Sequence, residues 1–483
     1  MTLLRSAARR SLGTAVLLSL SLLSIPVRAQ SPAGLPEDVR ATAAGLRAKA
    51  LAGTRAYEIV RSLTVEVGPR PAGSKALNDA VEWGVRTMKA LGFSNVHAEK
   101  TTVPHWVRGE ESGEIVAPYP QPVHLTALGG SVGTPAGGIE APVIEVPSLE
   151  AVAKLDPAQV KGKIVFFNGR MKRTKDIAGY ANAVPVRGAG ASAAAKLGAV
   201  AVVIRSIGTD NNRTPHTGAM RYADGVEKIP AAALSNPDAD LLDAEVASGK
   251  AVILRLKLGA HVLPDVETAS VVGDVLGRET AGREKPEEIV LLGAHLDSWD
   301  LGTGAIDDGA GCAIMLETAR RISELPRKPR RTIRVVLFAN EEFGTSGARS
   351  YAEAHKGELG RHVMAGESDL GSGPVWRISS HVDPAKLPVV ADLAKLLGVE
   401  QGANNAGGGS DLGPMSPARV PVISLAQDAS TYFDVHHTAN DTLDKIDPKD
   451  LDQNVAAWVA VAYAIAEMPG DLGRAPEGEG RGE

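Results

Sequence analysis

The chain has almost no cysteine: Cys312 stands alone among 483 residues, which excludes any internal disulfide framework. It also lacks an excess of either charge. The formal net charge is −5 and the basic residues are scattered rather than clustered, so no polyanion-binding surface is expected and nucleic acid is excluded as a partner. Beyond the first thirty residues, no segment has the uninterrupted apolar length that a bilayer span requires. What remains is globular: 44 % apolar and 23 % charged residues supply a large core. The length allows two or three domains.

The first residues have a different texture. Arg5, Arg9 and Arg10 precede the apolar run "LGTAVLLSLSLLSIPV", and Val27 and Ala29 in "VRAQ" occupy the positions a signal peptidase reads. Residues 1–29 are therefore expected to be a signal peptide, and the run is short for a stable membrane anchor. The expectation is an exported protein, periplasmic or extracellular, with no membrane span after signal removal.

Residues 36–118 read as the first part of one domain. Residues 36–67 have helix-like spacing, "GPRPAGS" is a turn cluster, and Ser74 caps a helix, "KALNDAVEWGVRTMKALG", that stops at Gly92. "NVHAEKTTVPHW" reads as an edge strand. Residues 119–262 change to Gly, Pro and short Val/Ile runs such as "APVIEV", "GKIVFFN" and "AVAVVIR", with a short helix "ASAAAKLGA" between two of them. This pattern predicts a β-rich inserted module. Residues 263–470 resume the first domain: "EIVLLGAH", "TIRVVLFAN", "VMAGESD" and "VPVISL" alternate with amphipathic helical runs, which predicts a mostly parallel sheet covered on both faces. Residues 471–483 are expected to be a disordered tail.

The polar residues that carry chemistry follow those strands. His295 and Asp297 come after "EIVLLGA", Glu341 and Glu342 after "TIRVVLFAN", Asp369 ends "VMAGESD", and His436 and His437 lie beyond "VPVISL". In open α/β sheets the carboxyl ends of the strands meet at one crevice. Each motif is weak alone: a His-x-Asp is common, "AIDDGAG" could be a calcium loop, and Glu-Glu is usually a solvated surface. Their arrival in one order at successive strand ends is the signal. Crowded carboxylates destabilise a fold unless cations sit among them. Three carboxylates and two neutral imidazoles suit a pair of divalent ions with a bound hydroxide.

The order His-x-Asp, Asp-Asp, Glu-Glu, Glu-Ser-Asp, His resembles the co-catalytic zinc aminopeptidase family, which includes aminopeptidase Y and the glutamate carboxypeptidases. "HLDSWDLGTGAIDDGAG", "NEEFG", "ESD" and "GGGSDLGP" are most similar to its plasma glutamate carboxypeptidase (carboxypeptidase Q) branch of dipeptidases and aminopeptidases, and the likeness covers about residues 55–465. The resemblance implies an α/β zinc-peptidase fold carrying a protease-associated domain. It implies two Zn2+ ions, one on His295, Asp307 and Asp369, the other on Asp307, Glu342 and His437, with Asp307 bridging. His437 is preferred to His436 because it precedes Asp441 by the family's spacing, which leaves His436 as a supporting or substrate-facing group. A cis peptide between Asp307 and Asp308 and dimers in the related branch, hence a homodimer, are further implications.

The expected reaction is hydrolysis of dipeptides or short peptides from a free amino terminus. Glu341 is the candidate general base, pointing opposite to Glu342 if the segment is extended. Asp297 would orient the His295 ring. The resemblance makes Ser410 and Asp411 candidates for receiving the substrate amine, and Gly407 to Gly409 would allow close backbone approach. The aminoacylase-type hydrolases place their extra domain after the Glu-Glu pair, whereas this insertion precedes His295. A binding-only relative such as a transferrin receptor would have lost ligands or the base; all are present here.

Overall fold

The computed structural model describes Thr2 and residues 34–279 and 287–478. The expected signal segment, Thr2 apart, and the last five residues of the tail lie outside the described residues. Of that tail, residues 471–478 form neither helix nor strand, yet they are laid against the domain. Leu472 and Ala475 are buried, and Ala475 N donates to the Arg419 carbonyl at 3.1 Å.

The central sheet has eight strands in the order Ser94–Val107, His261–Val275, Thr332–Phe338, Ile289–His295, His362–Glu367, Val422–Gln427, Val375–His381 and Glu400–Gln401. The four strands in its middle, from Thr332–Phe338 to Val422–Gln427, run parallel, and antiparallel pairings flank them. The sheet is mixed: its middle is parallel, as the alternation of strand-like and helical runs predicts, and its flanks are antiparallel in part. Alternation along the Ile289–His295 strand sends Val290, Leu292 and Ala294 into the main core and Leu291 into a second core with Val336, Phe338 and Ala365. Burial on both faces explains why these strands read as continuous apolar runs.

Helices Glu37–Leu51, Ala56–Glu66, Lys75–Ala90, Ala310–Ser323, Leu387–Leu397 and Pro448–Glu467 contribute to the main core, whereas Ser346–Ala354 supplies Ala348 and Tyr351 to the other. The helical stretch 36–67 is two helices, parted at residues 52–55 where Gly53 takes φ +136°. Ser74 caps its helix by accepting from Leu77 N at 3.1 Å.

A second eight-stranded sheet is built from residues between Glu111 and Leu258 and is flanked by helices Ala178–Ala195 and Asn236–Ala247. Its strand Glu111–Ala117 lies before the expected module boundary at 119. Glu111, Gly113 and Glu114 give that strand a polar texture that hid it in the sequence. The chain enters this region through Ser94–Val107 and returns through His261–Val275, which pair antiparallel from Val107↔His261 onward. Entry and exit share one ribbon, so the central sheet accommodates the insertion at its edge.

Candidate metal centre

The Ile289–His295 strand lies between Thr332–Phe338 and His362–Glu367, so the chain steps first to one side and then to the other. That switch opens a crevice at the strand carboxyl ends. His295 closes its strand, Glu341 and Glu342 follow Phe338 on a turn, Asp369 lies two positions beyond Glu367, and His436 and His437 lie on the loop after Gln427. The structure brings all of them together.

Asp307 stands at the centre. Its Oδ1 is 3.1 Å from His295 Nε2, which is itself 3.3 Å from Asp369 Oδ1. Its Oδ2 is 3.3 Å from His437 Nε2, which lies 3.1 Å from Glu342 Oε2. One carboxylate thus divides its two oxygens between two imidazole–carboxylate pairs.

Among the described residues, three triplets bring ligand atoms within 4.8 Å of one another: Asp307–His436–His437, His295–Asp308–Asp369 and His295–Asp307–Glu342. This grouping includes Asp308 and His436, which the expected ligand sets omit, and hydrogen bonding decides between them. Asp308 already accepts His295 N at 3.0 Å and Gly311 N at 2.9 Å, one on each oxygen. His436 Nε2 lies farther from Asp307 Oδ2, at 3.6 Å, and the ring stacks on His437 at 3.5 Å. Both are better read as supports.

The residues fit cations. Burial opposes protonation of His295 and His437, yet Asp369 with Asp297 and Asp307, and Glu342 with Asp307, hold the two rings well above the ordinary histidine range. Burial works against ionising Asp307 as well, but His295 and His437 hold it well below the carboxylate range. Glu342 accepts the Trp299 indole N–H on Oε2 at 2.5 Å, while its buried Oε1 has no hydrogen-bond partner. Imidazole and carboxylate donors with a spare carboxylate oxygen suit a borderline divalent ion.

The four aspartates of "GAHLDSWDLGTGAIDDGAG" have separate employment. Asp300 forms a bidentate pair with Arg108, at 2.5 and 2.8 Å. Asp297 accepts Glu341 N at 3.0 Å and Glu342 N at 3.3 Å. Its carboxylate therefore holds the backbone of the Glu-Glu turn. The nearer partner of His295 Nδ1 is the Asp297 carbonyl at 3.1 Å, with the carboxylate at 3.7 Å. Asp441 fixes the next segment by accepting Ile306 N at 2.6 Å and Asp307 N at 3.2 Å, and the Asp307–Asp308 peptide is cis.

Glu341 and Glu342 are not on an extended segment, contrary to expectation. Two residues past the strand's end at Phe338, Asn340 takes φ +66°, and the Gly344 N to Glu341 O bond closes a turn at 3.0 Å. Glu341 and Glu342 both line the cavity. Burial, then Asp369 and Glu342, push the Glu341 carboxyl up to about 8.

Ser410 also lines this cavity; Asp411 does not line it and is fully buried, with neither carboxylate oxygen partnered. Between them and the metal-facing groups stands Glu367, which sequence reasoning passed over. Its Oε2 accepts Asp411 N at 3.1 Å, its Oε1 is buried without a partner, and the side chain reaches the cavity wall. The signal was available: in an extended chain, Glu367 shares a face with Asp369 two positions on. Arg70, within what read as a mere turn cluster, was also missed. It is fully buried and donates to the Leu296, Thr303 and Gly304 carbonyls at 2.5–2.9 Å, which bolts down the loop between His295 and Asp307.

The cavity holds about 590 Å³, within the range of small-molecule pockets. Tyr180 and Arg187 from the second-sheet region form part of its wall.

An α/β sheet whose strand ends present imidazoles and carboxylates around a shared aspartate defines a metallohydrolase. Residues 274–462 match peptidase family M28. Carboxypeptidase Q of Mus musculus is 37 % identical over 417 residues, 86 % of this chain and 86 % of that protein. The crystal structure of a peptidase M28 precursor from Shewanella amazonensis is similar with a TM-score of 0.88 and 46 % identity, covering 91 % of this chain and 99 % of that one. A zinc aminopeptidase from Bacillus subtilis shares the fold at 22 % identity and a TM-score of 0.61, covering 88 % of this chain and 98 % of its own. The chain belongs to peptidase family M28 and is a metallopeptidase.

Proposed function

We propose that this peptidase is an exported di-zinc enzyme that hydrolyses dipeptides or short peptides from a free amino terminus. The observation that carries the reading is the division of Asp307, one oxygen toward His295 and Asp369, the other toward His437 and Glu342. Those five residues would hold the ions, with Asp307 between them. When bound, two zinc ions acidify a water and polarise the scissile carbonyl.

Glu341 takes the proton from the attacking water and delivers it to the leaving amine. A carboxylate that lines the cavity can do both halves of that task, accepting the proton as base and returning it as acid. Asp297 positions the base and its neighbour through their backbone N–H groups. The cationic amino terminus of the substrate is received on the Glu367 side of the cavity, which Ser410 also lines, with Asp411 behind it holding Glu367 through its backbone N–H. His436 backs His437 by stacking.

The 119–262 region, similar to a protease-associated domain, closes one side of the cavity through Tyr180 and Arg187 and so limits substrate length. Export rests on the signal-like segment 1–29; among the described residues no helix is long and apolar enough to cross a membrane. A homodimer is the assembly that the resemblance suggests.

A panel of leucyl and alanyl dipeptides, their N-acetylated forms and longer peptides tests this reading. Free dipeptides should be cleaved at least 100-fold faster than acetylated ones, with rates falling as length grows. Equal turnover of free and blocked substrates would remove the amino-terminal specificity.

A further inference from the structure

The loop that carries His437 is held less by the peptidase sheet than by the region between the two passes of the edge ribbon. Thr217 N donates to the His437 carbonyl at 3.0 Å, and the Thr217 carbonyl accepts from His437 Nδ1 at 3.3 Å. One residue earlier, His216 Nδ1 donates to the His436 carbonyl at 2.7 Å. The contact continues upstream, where Thr209 N donates to the Phe433 carbonyl at 3.0 Å and the Tyr180 ring stacks on Phe433 at 4.9 Å. His437 itself sits at φ +61°, a conformation a non-glycine residue keeps only where its surroundings hold it.

Asp210 and His216 lie at the root of this seam. His216 Nε2 meets Asp210 Oδ1 at 2.6 Å, and the two side chains are only 1 % and 2 % exposed. Ser206 Oγ accepts His216 N at 2.8 Å, and the ring packs against Gly208, where an added Cβ would lie 2.3 Å from it. With the ring so confined, Nδ1 is aimed at one place, the His436 carbonyl. Neither residue lines the cavity, and neither belongs to a metal-competent triplet.

We propose that the Asp210–His216 pair is a positioning device for the metal centre, pinning the 432–437 loop so that the Thr217 carbonyl accepts a hydrogen bond from His437 Nδ1–H and leaves Nε2 free for an ion. The inference rests on the di-zinc reading above. A ligating imidazole must present one bare nitrogen, and a hydrogen-bond acceptor on the other nitrogen decides which one it is. Here that acceptor comes from outside the peptidase sheet. The insertion therefore completes the Glu342–His437 half of the centre, whereas the His295–Asp369 half is oriented entirely from the central domain.

The test uses the full chain. Zinc affinity of wild type, Asp210→Asn and His216→Asn is measured by competition with a chromophoric chelator, with Arg255→Gln on the exposed face of the same region as a control. Each seam variant should bind one of its two ions about 10-fold more weakly and the other within about threefold, the lower end of the effect for direct partners of metal-ligating histidines because the pair acts through Thr217 and the His436 carbonyl. The control should match wild type. Folded seam variants that bind both ions at wild-type affinity overturn the proposal. Should the variants not fold, long-range 1H–15N spectra of the wild type decide: a proton on His437 Nδ1 is expected, and a bare Nδ1 overturns it. A wild type that binds no zinc overturns the di-zinc reading instead, an outcome distinct from unchanged variants.

Discussion

Replacing Glu341 by Gln removes a proton acceptor while keeping its shape. The backbone N–H of residue 341 still donates to Asp297, and Glu341 belongs to none of the metal-competent triplets, so metal content should be that of wild type. What is lost is proton transfer. A positioned general base contributes about 10²–10⁴-fold, or ~3–5 kcal/mol of transition-state stabilisation. The expected result is a fall in kcat of that size on a dipeptide substrate, with KM changed by less than about threefold. The sign of the pH dependence follows. Only the carboxylate accepts a proton, so the wild-type rate rises through the Glu341 ionisation, and the variant should lack that limb. A variant with intact metal and kcat within tenfold of wild type would refute the assignment.

Asp441 gives a stability prediction for chelator-treated protein. Burial, then the charge of Asp307, raise its carboxyl to about 7. A group raised in the folded state contributes stability below its unfolded value that is lost as pH rises through the folded one, here between pH ~4 and ~7, with about 4 kcal/mol as an upper bound. Asp441→Asn should flatten that decline in denaturant titrations across the window; an unchanged slope would contradict the cause. Gly409→Ala should leave the metal bound but cut kcat/KM on free dipeptides by at least tenfold. At φ +117° a Cβ would lie 2.1 Å from Glu367 Oε2 and displace the carboxylate that receives the amine. Full activity of that variant would count against the Glu367 subsite.

Much of this centre could be read from the chain because its residues sit at strand ends, where apolar runs announce the strand and a polar residue marks its close. His295, Asp369 and the Glu-Glu pair are all found that way. The parts that escaped depend on three-dimensional partners. Asp300 seemed to add to the crowding, but Arg108, far away in sequence, neutralises it. Asp308 is accommodated by backbone N–H groups that no composition reveals. Arg70 looked like a turn residue because its acceptors are carbonyls, which leave no trace in the side-chain pattern. The extended geometry expected at Glu341 failed for a local reason, the left-handed Asn340, which any asparagine permits and few require. The seam between residues 209–217 and 433–437 joins segments 220 positions apart and is legible only in the fold.

The central claim is that two cations reconcile Asp307 with the carboxylates and imidazoles packed around it. Metal analysis of the purified chain, paired with turnover before and after chelation and zinc return, tests it most directly. Two zinc equivalents per chain, activity lost with both and restored by both, is the predicted result. Full peptidase activity in a chain stripped of metal would contradict it.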